Sequence, residues 1–238
     1  MRLIDLSLDF YAGMPKPEAH PPVELRYLLT PSAEEEERRG FTNKMEQFSA
    51  TTHVGTHIDA PSHFTLGGKN IDDYPPELFF LVPTVLLRIP KPEYGEISAA
   101  DLAAAQEQCG TQLRPGELVL LDTGSAARYG TEGYLHSPYL TAEAARYLAD
   151  RAPRMVGIDS FTVDDPRRKE KPAHAILLKE REILIIEGLT NLDKLPAHRF
   201  ESVCLPLRIR GGSGGYTRMI AVLRDEEEKQ NESIHPYQ

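Results

Sequence analysis

The sequence predicts an α/β protein in which a central mixed sheet or small barrel is flanked by helices. Many short apolar segments bounded by turn residues indicate strands, and few segments have helical periodicity. The 238 residues, 40% of them hydrophobic, are enough for one domain with a substantial core. We therefore expect one domain over residues 1–224, followed by a polar tail over residues 225–238 that is predicted to be disordered.

Apolar runs and capping signals locate the individual elements. Ser98 and Asp101 form a capping box before an alanine-rich helix that Gly110 ends, and Thr141 is the N-cap of a helix reaching residue 150. A proline opens a short helix over 172–180. GGSGG, residues 211–215, is predicted to be a flexible hairpin connection of low functional weight. Strands are predicted in MRLIDLSL and over 82–89, 118–124, 155–160 and 183–188, with 203–209 and 216–223 as a late pair.

Charge and cysteine usage exclude several classes of function. The net charge of −9 disfavours binding to a phosphate backbone, which requires clustered cations. No apolar run approaches the length needed to span a membrane. Cys109 and Cys204 form no C-x-x-C motif, and Asp5 and Asp9 interrupt the N-terminal stretch where a signal peptide is apolar. We expect a reduced, cytoplasmic protein that acts on a small molecule rather than on nucleic acid or a membrane.

The stretch FSATTHVGTHIDAPSHF, residues 48–64, holds three histidines and an aspartate. A helix would place His53 and His57 on one face, but Gly55 weakens a helix and Pro61 ends it. The frequent β-branched residues favour a strand, in which alternate side chains point to opposite faces. One face would then be apolar and buried. The other would carry His53, Gly55, His57, Asp59, Pro61 and His63.

This polar face indicates a metal site, because four polar groups packed together without an ion are poorly satisfied. Four residues of strand span about 13 Å, whereas metal–nitrogen bonds are about 2 Å long. The chain must therefore bend between His53 and His57, and Gly55 is the expected position of the bend. Imidazole and carboxylate ligands fit Zn²⁺, Mn²⁺ or Fe²⁺. The alternative is a polar strand face of hydrogen-bonded histidines.

His174 and Glu187 form a second candidate cluster. Glu187 ends the apolar run ILIIE, where a carboxylate needs a cation or strong donors, and His174 begins the short helix before that run. The alternative is an exposed helix histidine and a glutamate paired with an arginine. Asp122 and Asp159 also end apolar strands, and we interpret them as turn formers.

The pattern H-x-G-T-H-x-D-x-P-x-H, from His53 to His63, resembles the signature of the cyclase family of metal-dependent hydrolases, which includes bacterial-type kynurenine formamidase and isatin hydrolase. Every fixed position of the pattern is present. The resemblance extends over nearly the whole chain. The other similar segments are IDLSLDFYAGMP, LLDTG, GIDSFTVD, AHAILLKEREILIIEGLTNLDKL and LPLRIRGGSGGYTRMIAVL.

The resemblance implies a compact, swivelling β/β/α domain that assembles as a homodimer or homotetramer. It implies that His53, His57 and Asp59 bind a first metal ion, and that Asp59, His174 and Glu187 bind a second ion in members with two. His63 matches the family's catalytic histidine. We expect Zn²⁺, with Mn²⁺ as the alternative, and one or two ions per subunit.

The substrate pocket departs from the pattern of kynurenine formamidases. Those proteins carry a P-V-W-P-G-D segment whose tryptophan contacts the aromatic substrate. Here residues 14–18 are MPKPE, and the chain has no tryptophan. We expect Phe10, Tyr11 or Phe41 to line the pocket instead.

These features predict a metal-dependent hydrolase that cleaves an amide C–N bond, either in an arylformamide such as N-formylkynurenine or in a cyclic amide. A divalent ion lowers the pKa of bound water to about 7, and His63 would pass the proton of that water to the leaving nitrogen. One alternative is a metal-dependent cyclase or dehydratase, which is a lyase. The other is a non-catalytic protein that binds a metal or ligand, although such a protein would not need His63.

Overall fold

The computed structural model describes residues 1–196 and 198–224, so the tail predicted over 225–238 lies outside the described residues. Within these ranges, nine strands form one mixed sheet and four others form two small ribbons. The strands are β1 (Arg2–Asp5), β2 (Glu24–Leu29), β3 (Met45–Ser49), β4 (His57–Asp59), β5 (Val82–Arg88), β6 (Glu96–Ile97), β7 (Leu118–Asp122), β8 (Tyr139–Leu140), β9 (Met155–Ile158), β10 (Leu184–Glu187), β11 (Arg199–Val203), β12 (Gly214–Tyr216) and β13 (Ile220–Leu223).

The large sheet has the strand order β1-β13-β11-β5-β7-β9-β10-β4-β12. The four central strands β5, β7, β9 and β10 are parallel, and the remaining neighbours are antiparallel. The sheet curls into a half-barrel. Ser7, just after β1, bridges to Leu189, just after β10, and the N–H of Thr190 donates to the carbonyl of Leu6. Chain segments from distant parts of the strand order are thereby brought together.

Three helices pack on the outer face of the sheet. They are α2 (Ala99–Gln108), α3 (Ala142–Ala149) and α4 (Pro172–His174), and α4 continues as a π-helical turn over Ala175–Glu180. The fourth helix, α1 (Ala33–Arg39), buries no residue. The predicted capping box is present, with the N–H of Asp101 donating to Ser98 Oγ and the N–H of Ser98 donating to Asp101 Oδ2. Thr141 caps α3 as predicted.

Two apolar cores follow from this arrangement. One lies between the sheet and α2, α3 and α4, and contains Leu102 and Leu148. The other lies inside the curl and contains Ile58 of β4 and Leu86 of β5. A sheet with both faces buried requires strands that are apolar on both sides, as in LVLLD of β7. The prediction of an α/β fold with a central mixed sheet flanked by helices is confirmed.

Two expectations were wrong in detail, and one element was not predicted. The late strands are β11, β12 and β13, and β12 pairs with β4 rather than with its sequence neighbours. GGSGG is therefore more than a flexible connection, because its last residues belong to β12. The ribbon of β2 and β3 was not predicted, and its side chains are largely exposed. Among the described helices, none combines the length and apolar character needed to cross a bilayer.

Candidate metal centre

The three polar side chains of the central motif come together because the chain bends before β4. Residues 52–56 form a bend in which Gly55 has φ +66°, and only His57–Asp59 is strand. His53 Nδ1 lies 2.7 Å from Asp59 Oδ1, and His57 Nε2 lies 3.2 Å from the same oxygen. The bend at Gly55 was predicted. The prediction of one continuous strand from His53 to His63 was wrong, because His53 lies in the bend that precedes β4.

His174 and Glu187 complete the cluster from the opposite side. Glu187 ends β10 directly across from His57 in the antiparallel register. Glu187 Oε2 lies 3.6 Å from His57 Nε2, and Glu187 Oε1 lies 3.4 Å from His174 Nε2. His174 Nε2 is also 3.5 Å from Asp59 Oδ2. The structure thus brings all five predicted ligands together, with Asp59 between the two halves.

His63 lies at the edge of this cluster. It ends a 3₁₀ turn, Pro61–His63, so it also leaves the strand that was predicted for it. Its ring stacks on that of His53, with centroids 3.8 Å apart. Ligand atoms of Asp59, His63 and His174 lie within 4.8 Å of one another, as do those of His53, His57 and Asp59. Geometry therefore allows His63 to act either beside an ion or on it.

Two buried atoms show that the cluster fits a cation. His57 Nε2 and Asp59 Oδ2 are buried without a hydrogen-bond partner. His57 Nδ1 lies 2.9 Å from the carbonyl oxygen of Gly55, which it can reach only as a donor. In the neutral imidazole this leaves the lone pair of Nε2 facing the carboxylates. Buried atoms of this kind are costly unless an ion or a donor satisfies them.

The pKa values show the same demand for positive charge. Burial alone would lower the pKa of His57, but the carboxylate of Asp59 raises it to about 9. Burial also opposes a charge on His174, yet the hydrogen bond to Asp164 raises that pKa to about 10. Burial raises the pKa of Glu187. The two imidazoles therefore retain protons in a position where a divalent cation would provide the charge instead.

Asp164 contacts the centre, although the sequence motif does not include it. Its Oδ2 lies 2.6 Å from Nδ1 of His174, and it also accepts hydrogen bonds from the backbone N–H groups of Ala173 and His174. It thereby fixes the first turn of α4 and the ring of His174 together. The segment GIDSFTVD contains this residue, but nothing in its spacing points to His174.

Ser213, within GGSGG, was also missed. Its Oγ lies 2.9 Å from Nε2 of His53. The neighbouring Gly214 allows this approach, because a Cβ there would lie 2.8 Å from Cε1 of His53 and 2.7 Å from the carbonyl oxygen of Ile58. The loop predicted to be a flexible connection therefore contacts a predicted metal ligand. Asp122 accepts from the N–H of Gly124, as a turn former would, and pairs with Arg88. Asp159 instead accepts from Thr123 and from the N–H of Ala126, both distant in sequence, so it is not a local turn former.

The cluster opens into a cavity of about 430 Å³. Its aromatic wall is formed by Phe64, Tyr94 and Phe161. The expectation for Phe10, Tyr11 and Phe41 was wrong. Phe10 packs against Phe48 and Tyr216, Tyr11 packs against Tyr129, and Phe41 lies beneath the guanidinium of Arg39.

Comparison of the sequence with models of known protein families supports this assignment of the centre. Residues 4–165 match the family model described as "Putative cyclase". The chain belongs to the cyclase family. The matched region of this cyclase-family chain contains His53, His57, Asp59 and His63, whereas His174 and Glu187 lie beyond its end.

Known members of the cyclase family resemble this chain in sequence and in structure. Kynurenine formamidase of Salinibacter ruber is 34% identical over 178 residues, which cover 74% of this chain and 77% of the relative. Kynurenine formamidase of Erythrobacter litoralis is 31% identical over 179 residues, covering 75% and 76%. Isatin hydrolase A from Labrenzia aggregata, solved with benzyl benzoate bound, superposes with a TM-score of 0.78 at 27% identity and 94% coverage of both chains.

These relatives confirm the prediction of a metal-dependent hydrolase that acts on an amide C–N bond. The divalent metal is supported by the relatives and by the cluster of histidine and carboxylate side chains. The chain therefore belongs to a class of hydrolases, and its cluster of candidate metal ligands opens into a cavity with aromatic walls.

Proposed function

We propose that this chain hydrolyses the formamide bond of an N-formylated aromatic amine such as N-formylkynurenine. The observation that carries the proposal is the position of the histidine and carboxylate cluster at one end of a cavity walled by Phe64, Tyr94 and Phe161. Aromatic walls favour a flat, aromatic substrate. The relatives named kynurenine formamidase support the same substrate class.

A cyclic amide such as isatin is the second candidate. The likeness to isatin hydrolase A over 94% of both chains favours it. In both substrates the amide nitrogen is bonded to an aromatic ring, so the same residues would act on either. The geometry of the centre does not distinguish the two candidate substrates. The rates at which the protein hydrolyses each of them do.

His53, His57 and Asp59 would hold a first ion, and Asp59, His174 and Glu187 would hold a second where two are bound. An ion in this position polarises a carbonyl oxygen and lowers the pKa of bound water. Asp59 faces both halves of the cluster, since its two oxygens lie 2.7 Å from His53 Nδ1 and 3.5 Å from His174 Nε2. It would therefore serve as the bridging carboxylate.

His63 is assigned the transfer of protons. Burial lowers its pKa to about 4, so its ring is neutral at pH 7 and one ring nitrogen can accept a proton. That nitrogen would take the proton of the attacking water and return it to the amine nitrogen as the C–N bond breaks. Stacking on His53 holds the ring beside the cluster.

Zn²⁺ is the proposed ion and Mn²⁺ the alternative, because imidazole and carboxylate ligands suit both. We also propose a homodimer or homotetramer. In support, the ribbon of β2 and β3 exposes Tyr27, Leu28, Met45 and Phe48, and exposed apolar groups of this size commonly mark association surfaces. A cytoplasmic location is proposed from the two free cysteines.

Metal analysis of the purified protein, followed by assays with Zn²⁺ or Mn²⁺, tests the proposal. We expect bound metal and cleavage of N-formylkynurenine faster than ring opening of isatin or simple cyclic imides. A preference for isatin would favour the second candidate. A metal-loaded protein inert towards all of them would overturn the hydrolase proposal and favour a lyase or a ligand-binding protein.

A further inference from the structure

Two lysines in the wall of the cavity have ammonium groups that no carboxylate of residues 1–196 and 198–224 neutralises. Lys16 and Lys171 both line the cavity that contains His63 and His174. Both side chains are half-buried. Within residues 1–196 and 198–224, neither lysine makes an ion pair. A lysine can bury its aliphatic stem while its ammonium group stays accessible, so both groups can meet a ligand in the cavity.

Lys171 is held by the backbone and not by a charge. Its Nζ donates to the carbonyl oxygen of Asp165 at 2.8 Å. The carboxylate of Asp165 is occupied by Arg167, with Nε to Oδ1 and Nη2 to Oδ2 both at 2.9 Å. Lys171 directly precedes α4, which ends at His174. Its ammonium group is therefore anchored in the wall of the cavity that contains the cluster, and no carboxylate among the described residues neutralises it.

Lys16 is also held by backbone carbonyl oxygens. Its Nζ donates to the carbonyl oxygens of Pro17 at 3.2 Å and Glu18 at 3.4 Å. An ammonium group has three donors. Lys16 thus keeps one donor and Lys171 keeps two for a group inside the cavity.

The acidic groups of the cavity do not balance these charges. Asp59 and Glu187 belong to the metal centre, where cations would neutralise them. Glu18 and Glu132 line the cavity from exposed positions, where solvent screens them. Arg167 is already neutralised by Asp165. The space between the metal centre and the exposed rim is therefore lined by two ammonium groups that still have donors available.

We propose that Lys16 and Lys171 select substrates that carry a carboxylate next to the amide-bearing aromatic group. This inference rests on the proposed function, because it names the substrate class of the same site. A carboxylate would accept hydrogen bonds from both ammonium groups, and hydrogen bonds to charged partners are stronger than neutral ones. A neutral substrate of the same shape would form no ion pair with either lysine and would gain no binding energy from their charge.

The first test compares N-formylanthranilate with formanilide, which differ by one carboxylate. We expect kcat/KM to be at least about tenfold higher for N-formylanthranilate, as for a charged hydrogen bond of typical strength. In Lys16→Met and in Lys171→Met this preference should fall by about tenfold, mainly through KM. Lys171→Arg keeps the charge and should restore most of the preference. Lys169→Met removes an equivalent charge from an exposed position two residues from Lys171 and should leave the preference intact.

A binding measurement separates this proposal from the proposed function. Anthranilate and its methyl ester are titrated into the metal-loaded protein and into the same variants. Tighter binding of anthranilate that weakens in Lys16→Met and Lys171→Met supports the lysine pair even if neither formamide is cleaved. Equal binding of the two ligands, or a preference unchanged in both variants, overturns the proposal even if formanilide is hydrolysed.

Discussion

Asp164 accepts a hydrogen bond from Nδ1 of His174 at 2.6 Å, and the opposite nitrogen of that ring faces Asp59 and Glu187 at 3.5 and 3.4 Å. A carboxylate behind a metal-binding imidazole fixes its tautomer and raises its basicity. Asp164 also accepts from two backbone N–H groups of α4, so ring and backbone are positioned together. Half of the metal centre therefore depends on a side chain outside the predicted ligand set.

Replacement of Asp164 by asparagine is expected to weaken metal binding by about 10- to 100-fold. The amide keeps the size of the side chain but loses the charge that supports His174. Chelator competition measures the change in dissociation constant. Asp165→Asn is the matched control, because Asp165 pairs with Arg167 and has no contact with His174. Equal affinities in wild type and Asp164→Asn would contradict the positioning role.

His63→Ala is expected to retain bound metal and to lower kcat by about 10²- to 10⁴-fold, because it removes only the proton carrier. Asp59→Ala should lose both metal and activity, since Asp59 contacts both halves of the cluster. Metal content by elemental analysis and turnover on N-formylkynurenine separate the two outcomes. Loss of metal from His63→Ala would instead identify His63 as a ligand.

Metal affinity is expected to rise between pH 7 and pH 9. In the metal-free protein the pKa of His57 is raised to about 9 by Asp59 against the effect of burial, so its ring is protonated at pH 7. Because a metal ligand must be the neutral ring, binding at His57 should release about one proton at pH 7 and fewer above pH 9. Calorimetry in buffers of different ionisation enthalpy measures the proton count. A count that is zero at pH 7 would contradict this charge state.

Gly55→Ala is expected to cost about 1–2 kcal/mol of stability, because φ is positive there. It should also weaken metal binding, since an added Cβ would lie 3.1 Å from Met14 Cε and the bend positions His53. Gly67→Ala is the control. Gly67 also has a positive φ, but it has open space around its Cβ position. Thermal unfolding with and without metal should show similar losses of stability in both variants without metal and a smaller metal-induced gain only in Gly55→Ala.

The sequence predicts the first half of the centre well because its residues are local. His53, His57 and Asp59 lie within one stretch, and their residue types alone indicate a cation. The strand assignment was too long because positive φ at Gly55 and the 3₁₀ turn at Pro61 end regular pairing on both sides of β4. Alternation of residue types cannot detect either break.

The second half depends on pairing between distant segments. Glu187 faces His57 only because β10 and β4 are antiparallel neighbours in that register. Asp164 and Ser213 lie in loops without periodicity, so nothing local connects them to His174 and His53. The ribbon of β2 and β3 escaped prediction for another reason. Both of its faces are exposed, so the alternation of apolar and polar residues that marks a half-buried strand is missing.

Strand β4 lies between β10 and β12, which both follow it in the sequence. The metal centre can therefore form only after these two later strands have been synthesised. During synthesis, the stretch that contains His53, His57 and Asp59 leaves the ribosome long before the strands that flank it. Until β10 and β12 pair with β4, these three side chains lie in an open segment with no fixed geometry. Chains stalled before residue 184 should therefore take up no metal in a filter-binding measurement. Metal uptake is then expected only from the folded chain, after its synthesis is complete.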